Sequence, residues 1–262
     1  MATRDEMASS FGTAAGDYER GRPSYPADAV DWLLAPAGSR PRVADVGAGT
    51  GKLTGQLLRT GAEVIAVEPD AAMLDALRER LPDVETLIGT AERMNLPDES
   101  MDALVFGQAW HWVDVAAASS EAARVLKPGG VLALVWNIRD ESVPWVARLG
   151  QIMKGSQAEQ LIAAGGPAVE APFGALERAS WSWTRDMTRA ALVAMVRSRS
   201  YVITADAGEK ARIDREVGAL LDEIGAVGEA IVALPYVTHG FRAVRGGGPA
   251  PRSRRSRRSY HR

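Results

Sequence analysis

The sequence contains no cysteine, and histidine is rare. The absence of Cys among 262 residues excludes disulfides, cysteine nucleophiles and thiolate-bound zinc or iron–sulfur centres. The three histidines, His111, His239 and His261, stand far apart in the sequence and lack the spacing of metal ligands. We therefore expect no metal site, so that any cofactor is organic.

Long apolar segments and a secretory leader are missing as well. No apolar run approaches the roughly 20 residues that a transmembrane helix needs. The first ten residues contain no apolar region followed by a cleavage site. These absences predict a cytoplasmic protein without a membrane span.

Acidic and basic residues are unevenly distributed along the chain. Residues 246–262 carry six arginines and no acid, which leaves a net charge of about −8 on the rest of the chain. An acidic body repels a phosphate backbone, so we expect a small-molecule partner rather than nucleic acid. The tail has almost nothing to bury and is predicted to be disordered. Its arginines could contact RNA or an acidic membrane, or the tail could be an unselected extension.

Apolar and helical segments alternate about every 20 residues between residues 42 and 136. This alternation predicts right-handed βαβ units and an α/β, doubly wound, mostly parallel sheet. Seven strands are predicted, at residues 42–46, 63–67, 84–88, 102–106, 131–136, 180–184 and 231–242. We expect one domain over residues 1–245, with a core at about 30–137 and a helical cap with two edge strands at about 138–245. The protein is expected to be a monomer or a homodimer.

A glycine turn follows the first predicted strand and leads directly into a helix. Asp45 comes two residues before Gly47, and Ala48, Gly49 and Gly51 complete the turn. Glycines there let the backbone turn sharply and approach a ligand closely. The G-x-G-x-G spacing differs from the G-x-G-x-x-G of dinucleotide sites, and a carboxylate before the turn suits a cation or an amino group.

Further polar residues follow the second and third predicted strands. Glu68 ends strand two, 21 residues after Gly47, where an acid can accept the two hydroxyls of a ribose. After strand three, Thr90 and Ala91 bring backbone N–H groups and a hydroxyl to a position where an adenine edge could lie. Ligands bind beyond the carboxyl ends of parallel strands, so these residues together predict a nucleoside site.

At this point the sequence resembles a known family, the class I methyltransferases, and within it the small-molecule branch called methyltransferase type 11. The similarity lies in residues 43–51, 67–69 and 124–130 and extends over roughly 11–242. It implies a Rossmann-like fold that binds S-adenosyl-L-methionine. Glu68, followed by Pro69, would hold the ribose, the 47–51 loop the methionine moiety, and Thr90 with Ala91 the adenine. Many members carry Asp where Thr90 stands.

Three shorter segments are similar to a narrower subgroup, trans-aconitate methyltransferase and related carboxyl or hydroxyl methyltransferases. They are residues 108–112, 136–140 and 18–26. In that subgroup the N-terminal segment covers the cofactor. The similarity implies that Tyr18, Arg22 and Gln108 contact S-adenosyl-L-methionine.

The acceptor decides which side chains the chemistry needs. A carboxylate acceptor is already ionised at neutral pH, whereas a hydroxyl acceptor needs a base, and His111 is the best candidate because imidazole titrates near neutrality. Alternatively, His111 is held structurally between Trp110 and Trp112. Arg139 and Arg22 could clamp an anionic acceptor, or each could pair with a loop acid such as Asp140.

Other functions compete with a small-molecule methyltransferase. They are a non-catalytic S-adenosyl-L-methionine-binding regulatory protein, a methyltransferase acting on RNA or protein, and an NAD-dependent oxidoreductase. The acidic body disfavours RNA, and the glycine spacing disfavours NAD.

Overall fold

A computed structural model describes residues 23–246 of the chain. Tyr18, Arg22 and the arginine-rich tail beyond residue 246 therefore lie outside the described residues. The strands are β1 Arg42–Val46, β2 Glu63–Glu68, β3 Glu85–Ile88, β4 Met101–Gly107, β5 Leu126–Arg139, β6 Glu177–Met187 and β7 Val232–Val244. The helices are α1 Ala27–Leu34, α2 Lys52–Arg59, α3 Ala71–Arg80, α4 Val115–Val125, α5 Pro144–Met153, α6 Gln157–Ala163, α7 Arg189–Arg197, α8 Ser200–Thr204 and α9 Ala207–Glu223.

All seven strands form one sheet, in the order β3-β2-β1-β4-β5-β7-β6. Strands β1 to β5 pair in parallel, whereas β7 runs antiparallel to both β5 and β6. The predicted doubly wound fold and the two late strands as an edge pair are thereby confirmed. The strand order reverses between β1 and β4, and such a switch point opens a crevice for ligands at the carboxyl ends of the strands.

Capping residues start several helices directly after the strands. The Asp70 carboxylate accepts hydrogen bonds from two backbone N–H groups at the start of α3, and Asp114 accepts one from Ala117 at the start of α4. A carboxylate at the first turn satisfies N–H groups that have no partner within the helix. These caps fix the helix starts at the same edge of the sheet as the expected crevice.

The central strands of the sheet are buried on both faces. In β5, Leu132, Leu134 and Trp136 belong to one apolar cluster, while Val131 and Val135 belong to another on the opposite face. Strands covered on both faces are continuously apolar, because alternate side chains enter two different cores. A third cluster packs α5, α7 and α9 against the ends of β6 and β7.

Strand β5 is longer than the sequence pattern predicted. It continues through Asn137 and Arg139, which were expected to begin a loop, because β7 pairs with it from Val131↔Val244 to Arg139↔Tyr236. An antiparallel partner far away in the sequence cannot be seen in local apolar spacing. As a result, the two polar residues at the end of β5 have fixed backbone positions.

The helical stretch predicted over residues 188–221 is divided into three helices. A break separates α7 from α8, and Asp206 starts α9 by accepting a hydrogen bond from the Glu209 N–H. None of the helices between residues 23 and 246 has the length and apolar content of a membrane span.

Candidate active site

The glycine turn after β1 adopts backbone angles that favour glycine. The φ angles of Gly47, Gly49 and Gly51 are 72°, 55° and 82°, all in the left-handed region. A Cβ on Gly47 would lie 2.8 Å from the Cβ of Ala109, so this position is also too crowded for a side chain. The N–H groups of Gly47 and Ala48 donate to the Val67 carbonyl at 2.8 and 3.2 Å, which ties the turn to the end of β2.

Asp45 is a buried carboxylate with an incomplete set of partners. Its side chain is 1% exposed, and Thr54 Oγ1 donates to Oδ2 at 2.6 Å. No described residue donates to Oδ1. Burial raises the pKa of Asp45 to about 7, because a desolvated carboxylate resists ionisation. A cationic group beside Oδ1 would supply both the missing hydrogen bond and the compensating charge.

Glu68, at the end of β2, is the second buried acid of the site. Its Oε2 accepts a hydrogen bond from the Gly49 N–H at 2.9 Å, and its Oε1 accepts one from the Asp70 N–H at 3.1 Å. Burial raises the pKa of Glu68, although these two hydrogen bonds oppose the shift. Each carboxylate oxygen can accept a second hydrogen bond. The geometry therefore suits a group with two hydroxyls on adjacent carbons.

A pocket lies at the carboxyl ends of β1, β4 and β5. Its lining comprises Pro23, Tyr25, Asp45, Gly47, Ala48, Gly49, Thr50, Lys52, Leu53, Gly107, Gln108 and Asn137. Five of the predicted site residues are thus brought together, namely Asp45, Gly47, Ala48, Gly49 and Gln108. Glu68 does not line this pocket but is joined to it through its bond to Gly49.

The remaining predicted cofactor residues lie around the pocket. Gly51 is the N-cap of α2, and Pro69 is an exposed residue between β2 and α3. Thr90 is exposed, and its N–H donates to the Arg93 carbonyl at 3.0 Å. The adjacent Ala91 is buried. Because the Thr90 N–H is used within its own turn, the side-chain hydroxyl is the group that Thr90 can present.

His111 lies in a short 3₁₀ turn after β4, where its ring packs on that of Trp112 and its Nδ1 bonds to a more distant tryptophan. Trp136 Nε1 donates to His111 Nδ1 at 3.2 Å, whereas Trp110 Nε1 donates to the Ala168 carbonyl. An indole N–H can only donate, so His111 Nδ1 carries no proton while this bond exists. The neutral ring therefore has its hydrogen on Nε2, and its lone pair points toward Trp136.

Arg139, at the end of β5, is held in a buried charged cluster. Its side chain is 3% exposed, and Nη2 donates to Glu159 Oε1 at 2.7 Å. Arg199 donates to the same oxygen at 3.1 Å, so Arg139 shares its carboxylate partner. Burial opposes ionisation of Glu159, but attraction to the two arginines holds its pKa below the usual value. No described residue accepts a hydrogen bond from Arg139 Nε.

Asp140 does not pair with Arg139, since its carboxylate accepts hydrogen bonds from the backbone and hydroxyl of Ser142. Within residues 23–246, no group of three His, Asp or Glu side chains is arranged to hold a metal ion.

Sequence reasoning missed several residues of the site, and three of them shape it most directly. Tyr25 and Asn137 line the pocket, and Thr54 holds Asp45. Asn137 directly follows the strand predicted over residues 131–136, and that position was the signal that could have identified it. Thr54 has no sequence signal of its own, since a threonine in the first turns of a helix is common.

Comparisons with known proteins identify the family of the chain. The profile of a methyltransferase domain family matches residues 44–134. An uncharacterized methyltransferase of Mycobacterium tuberculosis is 48% identical over 244 residues, which cover 92% of this chain and 98% of that protein. The malonyl-[acyl-carrier protein] O-methyltransferase of Serratia marcescens is 33% identical over 132 residues, or 49% of this chain and 51% of that protein.

The fold comparison gives the same result. A structure of a proposed type II methyltransferase from Anaeromyxobacter dehalogenans superposes with a TM-score of 0.69 at 23% identity, covering 86% of this chain and 99% of that one. This likeness concerns the fold as a whole. With the family profile and the full-length relative, it establishes that the chain belongs to the class I S-adenosyl-L-methionine-dependent methyltransferases.

Proposed function

We propose that the protein transfers a methyl group from S-adenosyl-L-methionine to an oxygen of a small molecule, either a carboxylate or a hydroxyl. The observation that carries this proposal is the pair of buried acids at the ends of β1 and β2, where Asp45 precedes the glycine turn and Glu68 accepts a hydrogen bond from Gly49 within it. When bound, the cofactor supplies a methyl group made electrophilic by a sulfonium. The chain's own task is to orient the acceptor and exclude water.

The residues present fit this cofactor. Asp45 Oδ1, buried and without a partner among the described residues, suits the amino group, and Glu68 suits the ribose hydroxyls. The other residues proposed to contact the cofactor are Gly47, Ala48, Gly49, Gly51, Pro69, Thr90, Ala91 and Gln108, together with Tyr18 and Arg22 outside the described residues. Asn137 and Tyr25 join them because they line the same pocket.

Arg139 is proposed to orient the acceptor. It lies two residues after Asn137 on the same face of β5, and therefore about 7 Å further along the strand. A buried guanidinium that shares its carboxylate and leaves Nε unpaired among the described residues favours an anionic ligand. The Serratia marcescens relative, named for O-methylation of a malonyl group, adds support for a carboxylate.

His111 is proposed to orient the same acceptor. As a base for a hydroxyl, it would need a lone pair facing the acceptor, but its Nδ1 lone pair is used by Trp136. As a donor, it would present its Nε2 hydrogen to an acceptor oxygen. This arrangement favours a carboxylate over a hydroxyl, and it fits the similarity to the trans-aconitate subgroup.

The region from about residue 138 to 245 is proposed to form the acceptor side of the site. Its helices α5, α7 and α9 share an apolar cluster of their own, and Arg139 and Glu159 belong to this part of the chain. A small-molecule acceptor agrees with the acidic body of the protein.

Two measurements test the proposal together. Calorimetry with S-adenosyl-L-methionine and S-adenosylhomocysteine measures binding, and labelled cofactor with a panel of small carboxylic acids and phenols measures transfer. We expect micromolar binding and transfer to at least one panel member. Binding without transfer to any member would favour the non-catalytic alternative, and transfer only to RNA or protein would favour the polymer-directed one. Failure to bind either cofactor form at millimolar concentration would contradict the proposal.

A further inference from the structure

A buried chain of hydrogen bonds runs from the edge of the sheet to the cofactor pocket. Trp183 Nε1 on β6 donates to Thr238 Oγ1 on β7 at 2.9 Å. Thr238 Oγ1 donates to Asn137 Oδ1 on β5 at 2.6 Å, and Asn137 Nδ2 donates to the Ser24 carbonyl at 3.0 Å. Thr238 is completely buried and Asn137 nearly so. The chain therefore crosses three strands with its two middle residues buried, while Trp183 at one end is half-buried and Ser24 at the other is exposed.

Trp183 determines which group donates and which accepts in each hydrogen bond of this chain. An indole N–H can only donate, so it occupies an oxygen lone pair of Thr238. The Thr238 hydroxyl hydrogen is then available for Asn137 Oδ1. That bond orients the Asn137 amide with its NH₂ group toward the Ser24 carbonyl. If the amide were turned over, Asn137 Oδ1 would face the Ser24 carbonyl oxygen with no hydrogen between them, and the Thr238 hydroxyl hydrogen would lose its acceptor.

The far end of the chain is a wall of the pocket. Ser24 is also held by Gln56, whose Nε2 donates to its hydroxyl at 2.8 Å. Its neighbours Pro23 and Tyr25 both line the pocket. Tyr25 packs closely on the end of β4, since its hydroxyl oxygen would lie 2.8 Å from a Cβ on Gly107. The Ser24 carbonyl thus anchors the segment that closes this side of the pocket.

We infer that Thr238 and Trp183 are positioning residues for cofactor binding, because through the Asn137 amide they hold residues 23–25 against the pocket. Neither residue lines the pocket, and both lie on the strands that follow the central sheet in sequence. Residues at the edge of the sheet therefore control how tightly the cofactor is retained. The inference rests on the proposed function for its ligand, but the anchoring of residues 23–25 is a property of the cofactor-free protein.

Thr238→Val tests the chain, because valine keeps the shape of threonine but can neither donate nor accept. Thr238→Ser retains the hydroxyl and serves as the rescue. Ser119→Ala is the matched control, since Ser119 is also fully buried and its hydroxyl accepts a hydrogen bond from the Glu170 N–H in a different part of the fold. All variants are compared at a temperature where each is fully folded.

Two readouts separate positioning from general destabilisation. In the cofactor-free protein, hydrogen–deuterium exchange of the peptide containing residues 23–26 should become faster in Thr238→Val and remain unchanged in Thr238→Ser and Ser119→Ala. The S-adenosylhomocysteine dissociation constant should rise roughly tenfold in Thr238→Val alone, which is the effect of one lost buried hydrogen bond. Faster exchange without any binding in the wild type would overturn the proposed function but not the anchoring.

Trp183→Phe provides a second variant in case Thr238→Val does not fold. Phenylalanine retains a smaller aromatic ring next to Tyr236, on which Trp183 is stacked, and lacks the N–H group that starts the chain. We expect faster exchange of the 23–26 peptide and weaker S-adenosylhomocysteine binding, each at about one third of the size seen in Thr238→Val. The effect is smaller because Thr238 can still donate to Asn137. Unchanged exchange and unchanged affinity in Thr238→Val, or in Trp183→Phe if only that variant folds, would overturn the inference.

Discussion

Each end of the crevice has a buried charged side chain with an unpaired atom, and the two side chains have opposite charges. At β1 the buried carboxylate of Asp45 has an oxygen without a donor, and at β5 the buried guanidinium of Arg139 has an N–H without an acceptor. Among the described residues, these are the two buried side-chain atoms that lack a hydrogen bond. Burying polar groups without partners is costly. The comparison indicates that one end is built for a cation and the other for an anion.

The largest expected effect is at the β5 end of the crevice, where Arg139 is proposed to bind an anion. Arg139→Gln removes the proposed acceptor contact, and kcat/KM for a carboxylate acceptor should fall roughly 100-fold or more. The dissociation constant of S-adenosyl-L-methionine should remain within about twofold, because Arg139 does not line the cofactor pocket. Steady-state kinetics and calorimetry measure the two quantities.

Arg189→Gln is the control for loss of an arginine ion pair, since Arg189 pairs with Asp222 on the cap. It should leave both constants unchanged. If Arg139→Gln weakened the cofactor as much as the acceptor, the proposed division of the crevice would be wrong.

The second-largest effect is expected at the β1 end of the crevice, where Asp45 and Glu68 lie. Glu68→Ala should weaken cofactor binding by roughly 1–3 kcal/mol, because it removes charge-assisted hydrogen bonds to the ribose. Glu63→Ala is the control on the same strand, where the exposed carboxylate pairs with Arg42. Calorimetry on both variants checks the assignment. A dissociation constant unchanged by Glu68→Ala would remove Glu68 from the ribose site.

A smaller effect is expected from pH. Burial raises the pKa of Asp45 to about 7, so below that pH the carboxyl must lose a proton before it can pair with an ammonium. Cofactor affinity should rise severalfold between pH 5 and 7 and then level off. In Asp45→Asn this dependence should disappear. A wild-type profile that is flat between pH 5 and 7 would show that Asp45 does not face the amino group.

The same group changes the stability of the cofactor-free protein in the opposite direction. Folded Asp45 binds its proton more tightly than the unfolded chain, whose carboxyl has a pKa near 4. The contribution of protonated Asp45 to the free energy of unfolding is therefore fully present below about pH 4 and is lost as the pH rises through 7. Asp45→Asn should gain stability relative to the wild type as the pH increases from 5 to 8, measured by denaturant unfolding. An equal difference at every pH would contradict the shifted pKa.

The smallest expected effect distinguishes the two roles of His111. If His111 donates from Nε2, His111→Ala should lower kcat about fivefold by the same factor across the pH range in which the wild-type ring is neutral. If it were a general base, the loss would disappear at high pH, where hydroxide or an ionised acceptor replaces it. The pH profiles of kcat for wild type and variant give the answer.

The geometry of the β1 end of the site follows from local sequence, whereas that of the β5 end does not, although Arg139 itself was a candidate there. Asp45, the glycine turn and Glu68 lie within 24 residues, and their spacing reflects one strand–turn–helix–strand unit. The partner of Arg139 is Glu159 on α6, 20 residues away, and Arg199, which donates to the same carboxylate, is 60 residues away. The Trp136 bond to His111 and the β7 pairing that extends β5 also depend on tertiary structure. Local patterns carry no information about such contacts.

The most direct test of the account is a crystal structure with S-adenosylhomocysteine. We expect the ribose hydroxyls within hydrogen-bond distance of the two Glu68 oxygens and the amino group within hydrogen-bond distance of Asp45 Oδ1. A nucleoside that binds elsewhere on the sheet, or an amino group that leaves Asp45 Oδ1 unpaired, would contradict the central claim.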